Sequence, residues 1–199
     1  LGSKYEHNEY SGFEFQPTFR LMWSPISKHF IWGAVSRAVR TPARFEDSLK
    51  YIGQIVPPNT ELNPSPLAVL VSLEGNSAFK AENLLAYEIG YRTSMFESVS
   101  FDVTAFYNHY DSLRSFQFGN LYFNGADLIQ PLNYTNNNYG DTYGVEVSSQ
   151  WQMLENFRWE FNYSYLQANI DRVWPAPEAT PPSNKFTLRA ALTPIKDVN

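Results

Sequence analysis

The sequence has no cysteine, so disulfides, thiolate metal sites and thiol nucleophiles are all excluded. It has no run approaching the ~20 apolar residues that a membrane-spanning helix needs. Helical membrane proteins are therefore excluded, but strands are not, since each crosses a bilayer with only about 9–11 residues. Basic residues are in the minority: 15 Lys and Arg against 20 Asp and Glu give a formal net charge of −5, which leaves no footprint for nucleic acid. His7, His29 and His109 lie far apart, without metal-ligand spacing. Asn136–Asp141 offers oxygen ligands but not the D-x-[DN]-x-[DN]-G order of a calcium loop. A Gly-rich phosphate loop, a G-x-S-x-G elbow and an H-E-x-x-H helix are also missing. Neither a metal nor a cofactor is expected, and nothing points to bond chemistry.

Aromatic side chains are plentiful, at 17% of residues, and they favour strands. Asp141–Asp171 shows how they are arranged. Tyr143, Val145, Val147, Trp151 and Met153 fall on one parity; Gly144, Glu146, Ser148, Gln150 and Gln152 fall on the other. After a break at Glu155-Asn156, Phe157, Trp159, Phe161, Tyr163 and Tyr165 oppose Arg158, Glu160, Asn162 and Ser164. Period-two alternation predicts a hairpin of two strands, each with one apolar and one polar face. In a soluble sandwich the apolar face is the inside. In an outer-membrane barrel it looks out at lipid, and the charged face lines the lumen.

The same alternation recurs along the chain. Strands are predicted up to Asn8, over 13–24, 29–39, 81–93 and 99–111, and over 185–192. Pro17 interrupts the second, which marks an edge or a bulge. Parity is mixed at 29–39: with Arg37 on the polar side, Phe30, Trp32 and Ala34 fall on the apolar side. Between these runs lie short turns and three longer connections. Arg40–Lys80 holds five prolines and no sustained periodicity; a loop this long usually signals function. Leu113–Gly140 is rich in Phe, Tyr and Asn, and Arg172–Asn184 is loaded with proline. Short turns on one side and long loops on the other are the habit of transmembrane barrels. The fold class is all-β, an antiparallel meander of about eight strands.

Several phrases resemble the barrel of TonB-dependent outer-membrane receptors: SRAVRTPARFED at Ser36–Asp47, ENLLAYEIGYR at Glu82–Arg92, TAFYNHYDSL at Thr104–Leu113, and YGVEVSSQWQ followed by FNYSYLQA. Their order is that of the second half of the family's barrel. The resemblance implies part of a 22-stranded transmembrane β-barrel with long external loops, in the outer membrane of a Gram-negative bacterium. It implies uptake of a ferric siderophore or similar small ligand, energised by the TonB complex, with outer-membrane lipid around the wall. The opening LGSKYEHNEY and the closing TPIKDVN read as cuts inside a longer protein. A plug domain, a TonB box and the C-terminal closing strands are thus expected to lie outside residues 1–199.

Candidate site residues fall into two groups. Arg37 and Arg40, with the loop aromatics Phe116, Phe118, Tyr122, Phe123, Tyr134 and Tyr139, are candidates for ligand contact. The arginines suit oxyanion pairing and the rings suit stacking; the alternatives are ion pairs in the wall and rings packed on one another. Glu88, Arg92, Asp102, Glu146, Arg158, Glu160 and Arg189 fall on polar parity, as a lumen lining or as a ladder of cross-strand pairs facing the plug. Three functions stay open: an energy-coupled receptor, a porin or barrel enzyme, and a soluble β-sandwich binding module that buries its aromatic parity between two sheets.

Overall fold

A computed structural model describes residues 1–96, 98–172 and 181–193. The strands are β1 (Gly2–Asn8), β2 (Gly12–Trp23), β3 (His29–Arg40), β4 (Lys50–Val56), β5 (Val69–Glu74), β6 (Glu82–Phe96), β7 (Val99–Phe118), β8 (Tyr122–Phe123), β9 (Leu128–Leu154), β10 (Phe157–Asp171) and β11 (Asn184–Leu192), with one short helix, α1 (Arg44–Ser48). All strands join one sheet, whose main path runs β1-β2-β3-β6-β7-β9-β10-β11. Every step along that path is antiparallel, so the expected eight-strand meander is present. Much of the proline-rich connection after β10, residues 173–180, and the TPIKDVN end from 194 onward lie outside the described residues.

The turns fall into two sets. At one end of the sheet, β2–β3, β6–β7 and β9–β10 are joined by short links; at the other, β3–β6, β7–β9 and β10–β11 are joined by long ones. The exception at the long end is the tight β1–β2 turn, where Asn8 Oδ1 accepts from the Tyr10 amide at 2.8 Å, an Asx turn, and Gly12 takes φ 74°.

The register sorts the side chains by face. Rows such as Tyr87–Tyr107–Tyr143 and Ile89–Ala105–Val145–Tyr165 carry one face; Arg92–Asp102–Ser148–Asn162–Thr187 carries the other. The apolar face is not enclosed by a second layer: Ile89, Phe186 and Leu188 are 60%, 62% and 55% exposed. A β-sandwich needs these residues shut between two sheets, and the described residues form one. The apolar face has aromatic margins. Tyr87, Tyr107 and Tyr143 stand toward the long-loop end, and Trp151, Trp159 and Phe157 stand by the short turns. Eight residues separate Tyr143 from Trp151, about 27 Å along a strand and roughly 20 Å in height at a barrel's tilt, close to the ~25 Å apolar band between aromatic girdles.

β3 corrects one expectation. Ala34 pairs with Glu88 and Phe30 with Arg92, so Phe30, Trp32 and Ala34 share the charged face, and Arg37 falls in line with Val35 and Leu85. The reason lies across the strands. Trp32 lies over Gly90, where a Cβ would come within 2.3 Å of the indole, and Arg20 sits 5.3 Å from the ring centroid. Phe106 covers Gly144 in the same way, at 2.7 Å from a Cβ there. Large rings on the charged face thus occupy spaces that glycines leave open on the neighbouring strand.

Arg40–Lys80 is the second correction. It is not an irregular loop but α1 followed by the β4–β5 hairpin, and β5 then pairs in parallel with β9, Val69 to Leu128 through Glu74 to Asn133. Leu113–Gly140 likewise continues as paired β7 and β9, leaving only a short tip around β8. Beyond the belt these pieces form an external module. Bulges mark the boundary: Ser112 takes φ 57°, and the β7–β9 register shifts on both sides of Leu113.

Candidate functional site

The external module is built around a charged cluster and a ring cluster. Arg40 ends β3, and Glu46 lies on α1, six residues later. Its carboxylate caps the helix by accepting from the Ala43 amide at 2.9 Å, and its side chain is fully buried. Arg40 grips two carboxylates at once: Nη1 and Nη2 donate to Glu46 at 3.0 and 2.8 Å, and Nε and Nη2 donate to Glu82 at 2.6 and 2.9 Å. These are paired, charge-assisted bonds, the strong kind. Arg114 adds a contact to Glu46 at 3.4 Å, and its amide donates to Glu82 at 2.8 Å. Burial works to raise the pKa of both carboxyls, but the Arg40 bonds and the backbone donors outweigh it and hold both below the usual carboxylate value. The Glu82 and Glu46 hydrogen bonds in turn raise that of Arg40. Two arginines face two glutamates, so the cluster is balanced within itself.

Tyr134 is the centre of the ring cluster. It is 5% exposed, its centroid lies 5.0, 5.9 and 6.2 Å from those of Phe116, Phe45 and Phe79, and burial raises the pKa of its hydroxyl. Asparagines fasten the pieces. Asn136 Nδ2 donates to the carbonyls of Lys80 and Ser112 at 3.0 and 2.8 Å, and Asn76 Nδ2 to that of Tyr134 at 3.0 Å. Asn63, 3% exposed, donates to Val56, Pro57 and Leu67 carbonyls and so closes the β4–β5 loop.

The predicted site residues are therefore dispersed. Phe116 and Tyr134 sit inside the module, while Phe118, Tyr122 and Phe123 lie near its tip, 48%, 40% and 56% exposed. Tyr139 belongs to neither set, since it pairs with Asp171 in the column above Tyr143. Arg37 bridges the point where the β2–β3 ladder stops at Thr18–Ser36. Its guanidinium donates to the Phe15 carbonyl and Asn83 Oδ1, both at 2.5 Å, and to Glu14 at 3.5 Å. The predicted lining residues share one face. Arg92 pairs with Asp102 at 2.5 Å, Glu88 with Arg20 at 3.8 Å, and Glu160 with Arg158 at 2.8 Å and Arg189 at 3.3 Å. Glu146 borders a polar hollow of about 350 Å³ with Asp102, Asn162, Ser164, Lys185 and Thr187. His29 contacts the Tyr91 hydroxyl and His109 the Asp141 carboxylate.

Sequence reasoning missed Glu46, Glu82 and Arg114 as a unit. A signal was there: SRAVRTPARFED contributes Arg40 and Glu46, and ENLLAYEIGYR opens with Glu82. The two phrases meet in one ion-pair cluster.

An antiparallel sheet with a girdled apolar face, a charged face, and long excursions at one end alone is the wall of a membrane β-barrel. The family model for the TonB-dependent receptor-like β-barrel matches residues 1–194, and the chain belongs to that family, whose members are outer-membrane β-barrels. Among solved structures, the siderophore receptor PirA from Acinetobacter baumannii is 19% identical, over 82% of this chain and 24% of that one, with a TM-score of 0.62. A mutant ferric enterobactin receptor PfeA from Pseudomonas aeruginosa, in complex with enterobactin, is 16% identical over 83% and 24%, with a TM-score of 0.63. The FrpB iron transporter from Neisseria meningitidis is 13% identical over 80% and 20%, with a TM-score of 0.51. At these identities the likeness is one of fold, and the chain spans only about a quarter of the PirA and PfeA chains. No curated protein matches it by sequence. The family and these neighbours are transport receptors, not enzymes.

Proposed function

We propose that this chain forms wall and external surface of a receptor in the outer membrane of a Gram-negative bacterium, one that takes up a ferric siderophore or another iron complex. One observation carries the reading: β7 and β9 each continue as a single strand, across the bulges at Leu113, from the girdled belt into an external module that is already packed around Tyr134 and Glu46. A preorganised outward surface on a membrane wall suits capture of a scarce solute, because ordering on binding costs affinity. The siderophore receptors among the structural neighbours support an iron complex as the solute. In this reading a plug domain elsewhere in the protein fills the lumen against the charged face, and the TonB complex supplies the energy. Phe118, Tyr122 and Phe123 offer exposed rings for an aryl group. The Arg40 cluster holds that surface in place, its charges being matched internally.

The test uses the full-length receptor in an iron-limited host. Deleting the β4–β5 hairpin, 50–74, abolishes uptake of the iron complex while the barrel still inserts and runs as a folded species. Uptake that survives the deletion removes the module from ligand capture; lost insertion makes the hairpin part of the wall.

A further inference from the structure

The lipid-type face is not uniformly filled. Toward β11 it is crowded, with Phe161 and Phe186 5.1 Å apart, edge to face, beside Leu188. On β3, β6 and β7 the row Gly33–Ile89–Ala105 places two minimal side chains on either side of one isoleucine. The result is an apolar groove of about 530 Å³, walled by Phe19, Leu21, Tyr87 and Tyr107. It continues past Ile89 and Ala105 into a second apolar hollow of about 400 Å³ bounded by Ile31, Tyr91 and Val103.

We propose that this groove seats one acyl chain of an outer-leaflet lipid. The inference rests on the membrane placement above. The groove starts at the tyrosine girdle on the long-loop side and runs from the Tyr87–Tyr107 row to the Tyr91–Val103 row. That is four residues, about 13 Å along the strand and roughly 10 Å in height at a barrel's tilt, most of one leaflet's share of a ~25 Å band. It opens on the belt and is continuous with it, so hydrocarbon is the solvent that reaches it. A groove left unfilled loses dispersion contacts along both walls, and a flexible chain restores them. Girdle hydroxyls stand at the mouth, where Tyr107 donates to Asp141 at 2.6 Å, the level at which a lipid turns from chain to headgroup.

The test places the intact receptor in vesicles of phosphatidylethanolamine with a diazirine near the middle of one acyl chain, illuminates it, and maps the labelled peptides. Labelling of 87–91 and 103–107 should exceed that of 186–192 several-fold. Gly33→Leu with Ala105→Leu should bring it down to the level of the rest of the belt. At Gly33 an added Cβ meets nothing closer than Glu88 O at 3.6 Å, and the rest of the leucine points into the groove that it is meant to fill. Even labelling around the belt in the unaltered receptor overturns the seat but leaves the membrane placement standing, and so does enrichment that survives filling the groove. An unlabelled belt overturns the membrane placement itself.

Discussion

The wall and the external module are made from the same strands, yet they are held together differently. In the wall both faces are open, and a position such as Ile89, 60% exposed, has no partner layer among the described residues. Its stability comes from the continuous ladder and from having hydrocarbon on one side only. The module has an interior of its own. Phe79, Ile129 and Tyr134 are buried together with Glu46, Asn63, Ser72 and Ser115, and the buried glutamate is answered by two arginines. One region depends on its surroundings and the other on its own packing, so perturbations should separate them.

The largest separation is expected from Glu46→Ala. Removing one partner of a buried ion pair costs about 3–5 kcal/mol, and here the low end applies, because Arg40 keeps Glu82 and is partly exposed. Protease or hydrogen-exchange protection of 41–80 should collapse while that of 99–108 and 141–165 stays. Equal loss in both regions makes the cluster part of the wall.

Acid should do the same by a gentler route. Glu46 and Glu82 have folded pKa values below their unfolded ones, so their contribution is complete above the unfolded value, ~4.3. It fades as pH falls below that toward the folded values. Module protection should hold from neutrality to about pH 5 and weaken below about pH 4, with the wall unchanged. A module that loosens between pH 5 and 7 assigns its stability to other groups.

The split between the regions also explains what could be read from sequence. In the wall each side chain meets one environment per face, so period two survives, and Tyr143–Met153 against Gly144–Gln152 sorts the faces correctly. In the module that contrast is gone. Val69, Leu70 and Val71 are all half-buried, on both sides of β5, so their run shows no alternation and the hairpin passes for a loop. The bulge at Ser112 and the register shifts beside it break the pattern again; Tyr134 is buried in the module, while Tyr139 stands in the column above Tyr143. Trp32 misleads for another reason: its seat is Gly90, 58 residues away, visible only once the β3–β6 register is known. The charged cluster joins β3, α1, β6 and β7, and no local spacing encodes it.

The wall makes its own prediction, one depth at a time. Phe161 shares a row with Leu188 and Ser149, between the two girdles. Phe161→Arg, two residues inside the Trp151–Trp159 row, should cost more than the ~0–1 kcal/mol of the interface but less than the ~2–4 kcal/mol of the midplane, measured by reversible unfolding from detergent or lipid. A neutral result removes this face from the hydrocarbon.

Met153→Arg should have the smallest effect, though the side chain is as apolar and as exposed as its neighbours. It lies beyond Trp151, next to the Leu154–Phe157 turn, outside the lower girdle where water and headgroups reach. A cation there costs about 0–1 kcal/mol, and its long stem lets the charge snorkel outward. The ratio between the two arginine variants measures depth rather than hydrophobicity, since a soluble core would penalise both alike. Equal costs at 153 and 161 would mean that the belt does not end at Trp151, and its height would have to be redrawn from the turn itself.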